Sequence, residues 1–156
     1  MDYTAFNAVM LAHAPMTDMG RAEWDARFNE YLRCFALADA DMEFGAYRRA
    51  NNIHDAAMRD LEAEYGVNHA SDPVAISKKR QAFDRVCAAE KAQLDDFLKP
   101  LWEAARRLTM TPAPDLSAAL LKIEIVKREE LDNDADFIGN PFDYVASDMA
   151  RLGDAA

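Results

Sequence analysis

The sequence predicts an all-α fold, and three observations carry that prediction. Hydrophobic residues make up 51% of the chain and many are alanine, the strongest helix former and one that buries little surface. Only 5 Gly and 6 Pro interrupt the 156 residues, so long helices meet few breakers. Larger apolar residues recur every three or four positions, the period of one helix face. A chain of this length has the size of one domain. Residues 1–156 are therefore read as a single helical domain: a long antiparallel hairpin with a short N-terminal helix over 1–110, and a C-terminal helical pair over 111–156 packed on one end.

The first element is a short amphipathic segment from Tyr3 to His13, carrying Phe6, Val9 and Met10 and stopped by Pro15. Thr17-Asp18 then supplies good N-cap chemistry for a second helix. Its apolar stripe runs Trp24, Phe28, Tyr31, Phe35, Ala38, Met42, Ala46, Ala50, Ile53, Ala57 and Leu61. The average step of about 3.7 residues is nearer a straight helix than the tighter repeat that forces a left-handed supercoil. Unbroken to Tyr65, this helix would extend on the order of 70 Å. Gly45 and Asn51-Asn52 are its two weak points.

Gly66 is placed to end that helix, and Ser71-Asp72-Pro73 sets a cap residue before a proline at the first helical position. A return helix from Pro73 to about Leu108 carries Ile76, Phe83, Val86, Cys87, Leu94, Phe97, Leu98, Leu101, Ala105 and Leu108. Its comparable length makes an antiparallel pair the economical arrangement. Pro100 lacks a backbone donor and collides with the carbonyl four residues back, so a kink is expected between Asp96 and Pro100.

Past the joint Thr111-Pro112-Ala113-Pro114, Asp115 caps a helix with Leu116, Ala119, Leu120, Ile123 and Val126 or Lys127 on its inner edge, ending near Leu131. An acidic loop from Asp132 to Asn140 leads to Pro141 and a last helix with Phe142, Val145, Met149 and Leu152. Trp24, Phe28, Trp102, Leu120, Ile123 and Val145 are the expected core. Cys34 and Cys87 fall in apolar helical contexts without metal or redox spacing, and both are expected to be ordinary buried thiols.

The net charge of −10 excludes a sequence-independent grip on nucleic acid, which needs lysine and arginine to displace counterions. A basic protein partner suits it better. Acids outnumber bases up to Tyr65 and again from Thr111, whereas Gly66 to Met110 is mildly basic. Acidic outer thirds are thus placed to lie along a basic middle third, with modest gain per exposed pair. Ala12-His13-Ala14 superficially resembles a signal-peptidase site, but the start is Met1-Asp2 and no continuous apolar block precedes it. No apolar run approaches the roughly 18 to 20 residues that cross a bilayer. A cytoplasmic location without membrane contact is expected.

Chemistry-bearing motifs are sparse. Asp132, Asp134 and Asp136, with Asn133, Asn140 and Asp143, have oxygen ligands at the spacing of a calcium loop. Phe137 stands where such a loop needs glycine, and Asp143 replaces its closing glutamate, so a solvated connector with Asp134 or Asp136 capping nearby amides is expected instead. Arg49 and His54 have the spacing of helical ribonucleases of the HEPN type, in which the two side chains meet near the scissile phosphate. The acidic surroundings oppose RNA, and the expected role is a partly exposed His54 near Asp55 with Arg49 on neighbouring carboxylates. His13 and His69 have no histidine partner one turn away for zinc. No nucleophile elbow, phosphate loop or dinucleotide fingerprint is present. The aromatic series Trp24, Phe28, Tyr31 and Phe35 has the spacing of a core face. No catalytic residue, cofactor or metal is assigned.

Thr109 to Leu152 joins the Thr-Pro-Ala-Pro-Asp-Leu element at Thr111–Leu116 to an apolar helix, an acidic joint and a terminal helix with Asp148-Met-Ala-Arg-Leu. In this it resembles small all-helical proteins common in alphaproteobacterial genomes and their prophages. The resemblance implies bacterial or phage origin, a cytoplasmic location and no enzyme activity; it brings no catalytic residues with it. Two functions from different classes fit: a non-catalytic helical interaction module, expected to form a homodimer, and an acidic phage-type inhibitor that mimics nucleic acid in a basic channel of another protein.

Overall fold

A computed structural model describes residues 18–66 and 72–153, and the described residues are helical with no strand. The Tyr3–His13 segment, His13, Pro15 and His69 lie outside them. Six α-helices follow in order: α1 Asp18–Phe44, α2 Ala46–Tyr65, α3 Pro73–Gln93, α4 Lys99–Met110, α5 Leu116–Arg128 and α6 Pro141–Gly153. A π-helical turn, Leu94–Leu98, joins α3 to α4, and a 3-10 turn, Leu131–Asn133, follows α5. Among the described residues no helix is long and apolar enough to cross a membrane.

Of the two weak points, Gly45 is the one that breaks. It takes an extended conformation (φ −72°, ψ 176°) while its N–H still bonds the Asp41 carbonyl at 2.6 Å. A Cβ here would overlap both that carbonyl oxygen and Asp41 Oδ1, so only glycine fits. The chain restarts at once, since Asn51 lies mid-helix and donates from its side chain to the Tyr47 carbonyl at 3.1 Å.

The caps read at Gly66, Asp72 and Asp115 are formed, while Thr17 lies outside the described residues. Gly66 adopts positive φ (71°) and returns its N–H to Glu62 O at 2.9 Å. Asp72 accepts from the N–H groups of Val74 and Ala75 at 2.8 and 3.0 Å, with Pro73 at the first helical position. Asn140 repeats the device ahead of Pro141, accepting from Phe142 N–H at 3.0 Å. The kink expected at Pro100 takes the form of the π-turn, in which Lys99 N–H reaches Leu94 O, one residue further back than in an α-helix. The wider turn accommodates the missing donor and the bulk of the ring.

The described chain forms two compact units, divided inside α1 and α4. The first comprises residues 18–33 and 102–153. Trp24 (1% exposed), Phe28 and Tyr31 from α1 are buried there, with Ala104, Ala105, Leu108 and Thr109 from α4, Leu121, Ile125 and Val126 from α5, and Leu131, Phe137 and Val145. Trp24 and Phe28 stack with centroids 6.5 Å apart. Phe137 meets Tyr144 edge-on at 5.8 Å. The aromatic series is thus core at its first three positions, with Phe35 half-buried.

The inner face of α5 is rotated from the expected one. Leu116 and Leu120 are exposed and Ile123 is half-buried, while Ala118, Ala119, Leu121, Lys122, Ile125 and Val126 face inward. Periodicity alone puts Lys122 outside; here it is inside, and the stripe turns with it. Trp102 is likewise half-buried rather than core.

The second unit, residues 34–101, is built on α2 packed antiparallel on α3 and tied to it by Glu64–Lys78 at 3.0 Å near the connection; at the far end Gln93 of α3 donates to Asp41 of α1 at 2.7 Å. Its buried residues are small: Cys34, Ala38, Ala75, Ala82 and Val86, with Leu61 and Leu101 the larger members. Met42, Ile53, Ile76, Phe83 and Cys87, expected inside, are all exposed. Alanines let the two helices approach closely, which leaves no room between them for the large side chains.

Candidate functional site

Two features of the described residues depart from plain helical packing: a polar pocket in the first unit and the outward face of the α2–α3 pair in the second.

The pocket, of about 350 Å³, is lined by Trp102, Arg128, Glu129, Glu130, Asn133 and Asp134. It forms because α5 ends at Arg128 and Glu130 takes a left-handed conformation (φ 52°), turning the chain into the 3-10 turn. Glu129 Oε1 accepts from the Tyr31 hydroxyl at 2.7 Å and from Arg128 Nε at 3.0 Å. The Arg128 guanidinium lies 5.3 Å from the Tyr31 ring centroid. Burial pushes the Glu129 carboxyl above its ordinary value, against the opposing pull of Arg128. The group is thus disposed to hold a proton that an exposed glutamate would release.

Beside it, the acidic loop is organised by an arginine. Arg106 Nη1 lies 3.3 Å from Asp134 Oδ2 and 3.6 Å from Asp136 Oδ2, while Asp134 Oδ1 caps the Asp136 N–H at 2.9 Å. Asp132 and Asp143 are exposed on separate elements, the 3-10 turn and the first turn of α6. Among the described residues no group of three or more His, Cys, Asp or Glu side chains is set to hold a metal ion.

Arg49 and His54 do not converge. Arg49 donates to the carbonyl of Phe44, the last residue of α1, rather than to the carboxylates expected for it. It closes the orphan acceptor left by the break at Gly45. His54 is partly exposed, with Nδ1 3.5 Å from Asp55.

A buried network, absent from the expectations drawn from the sequence, holds the proline joint. Lys122 Nζ lies 2.5 Å from Asp148 Oδ2 and 5.6 Å from the Trp24 ring centroid. Asp148 Oδ1 accepts from Ala113 N–H at 3.0 Å and from Arg151 at 2.9 Å, and Arg151 also donates to the Ala113 carbonyl. Both backbone groups of Ala113, flanked by Pro112 and Pro114, are thereby satisfied from α6. Burial lowers the Lys122 ammonium from its ordinary range, with Asp148 opposing the shift. The one signal for it in the sequence is a lone lysine inside the run Ala118–Val126.

On the α2–α3 pair, Ile53 (57% exposed), Val74, Ile76 and Phe83 (56%) point outward, and Met42 and Phe44 at the end of α1 are also exposed. Ile76, Phe83 and Cys87 share one flank of α3 by their spacing of seven and four residues. Ile53, Ala57, Asp60 and Glu64 of α2 face Lys78, Gln81 and Arg85 of α3 across a groove of about 350 Å³. One wall is acidic and the other basic. No family model, curated protein or solved structure matches the chain.

Proposed function

We propose that this chain is a non-catalytic helical protein-interaction module that associates with a second copy of itself. The observation that supports it is the distribution of side chains in residues 34–101: apart from Leu61 and Leu101 the buried residues are small, and Ile53, Ile76, Phe83 and Met42 face out. A helix pair that spends its largest apolar groups on the outside has a reason to be covered. The hairpin with two short helices at one end belongs to the same reading, as does the likeness to small alphaproteobacterial and prophage proteins. The alternative, a decoy for a basic nucleic-acid channel, draws on the net charge of −10. Its carboxylates, however, are broken into locally paired groups by Lys91, Lys99, Arg106 and Arg107.

Substitution of Ile53, Ile76 and Phe83 by serine tests the proposal. The expected variant melts as the parent does in dilute solution and no longer self-associates. Unchanged association in the variant would contradict the assignment of these side chains.

A further inference from the structure

We infer that the α2–α3 groove is a two-fold interface in which the acidic wall of one copy meets the basic wall of the other. This rests on the self-association proposed above and adds one face and its register: Ile53 lies in the seam, whereas Ile76 and Phe83, on the flank of α3 opposite Lys78 and Arg85, lie outside it. Asp60 and Glu64 stand on α2, Lys78 and Arg85 on α3, and Ile53 opens between them. Glu64 and Lys78 already pair within the chain at 3.0 Å. Among the described residues Asp60 and Arg85 have no ion-pair partner.

Geometry selects the occupant. The walls are antiparallel helices of opposite charge, at the same level along the groove. A two-fold axis parallel to the helices sets α2 of each copy against α3 of the other, antiparallel, and brings Asp60 of one chain to Arg85 of its mate twice over. A two-fold axis across the helices would oppose α2 to α2 and α3 to α3, like charge to like. The face is therefore complementary to itself in one arrangement, with Ile53 and Ala57 along the seam. A basic partner would leave Lys78 and Arg85 facing cations, and a polyanion would meet Asp60 and Glu64.

The test is sedimentation velocity on the full chain with Asp60→Arg, with Arg85→Asp, and with an equimolar mixture of the two variants. Both residues are exposed, and circular dichroism checks that each variant folds. Each single reversal is expected to raise the dimer Kd about tenfold or more, because like charges meet at two symmetric places. The mixture is expected to recover association as a heterodimer, since each reversed chain then faces its complement. If the parent dimerises and the reversals leave its Kd unchanged, or the mixture recovers nothing, this interface is overturned while self-association stands. A parent that stays monomeric overturns both.

Discussion

Lys122 and Asp148 form an ion pair with Nζ 2.5 Å from Oδ2 and side chains only 1% and 6% exposed. The pair joins α5 to α6, and through the second oxygen of Asp148 it reaches Ala113 in the proline joint. Removing one member strands a charge in the core, at a typical cost of about 3 to 5 kcal/mol. Lys122→Met is expected near the low end, about 3 kcal/mol, because Arg151 still contacts Asp148. The double variant with Asp148→Leu is expected to lose less than the two single losses combined. Urea unfolding of the four chains measures this; purely additive losses would contradict coupling.

Gly45 predicts a steric penalty. Alanine there drives Cβ into the Asp41 backbone oxygen, a contact that a side-chain rotation cannot relieve. Gly45→Ala is expected to destabilise by about 1 to 3 kcal/mol, the range of overpacked sites. At an ordinary helical glycine the same change is stabilising, so the sign of the shift in melting temperature decides the matter.

Glu129 gives a pH signature. Its folded-state pKa is raised by burial above the ordinary 4.5, so the folded protein binds its proton more tightly than the unfolded chain does. Its contribution is fully present below the unfolded value and is lost as pH rises through the folded value. In Glu129→Gln the new amide keeps an oxygen for the Tyr31 hydroxyl and carries no charge to desolvate. The stability of this variant relative to the parent is therefore expected to improve as pH rises from about 4 to neutrality. A difference independent of pH would contradict it.

Asp115 has two partners on separate oxygens: Ala118 N–H on Oδ1 at 2.9 Å and Arg21 on Oδ2 at 3.1 Å. Asp115→Asn keeps the cap and loses only a partly exposed ion pair, for a cost of roughly 0 to 1 kcal/mol. Asp115→Ala loses both and is expected to cost about 1 kcal/mol more. Equal losses for the two variants would assign the stabilisation to Arg21 instead.

These sites differ in how far the sequence discloses them. Asp72, Asp115 and Gly66 are legible because capping chemistry is local, acting within three or four residues. Gly45 is legible only as one of two weak points, since choosing it depends on its approach to Asp41. The inner face of α5 is misread from periodicity because Lys122 is buried by a partner 26 residues away, which periodicity does not register. The exposure of Ile76 and Phe83 escapes for a related reason. An alanine-rich helix has two faces able to pack, and close approach of α2 and α3 selects the one with Ala75, Ala82 and Val86. The Tyr31–Glu129 pair, 98 residues apart, carries no local signal at all.

Self-association is the central claim, and light scattering on the unmodified full chain over a wide concentration series measures it most directly. The mass is expected to rise from that of one chain to twice that value and to level there, with the midpoint moving to higher concentration as salt screens the groove charges. A mass that stays at one chain throughout would contradict the account.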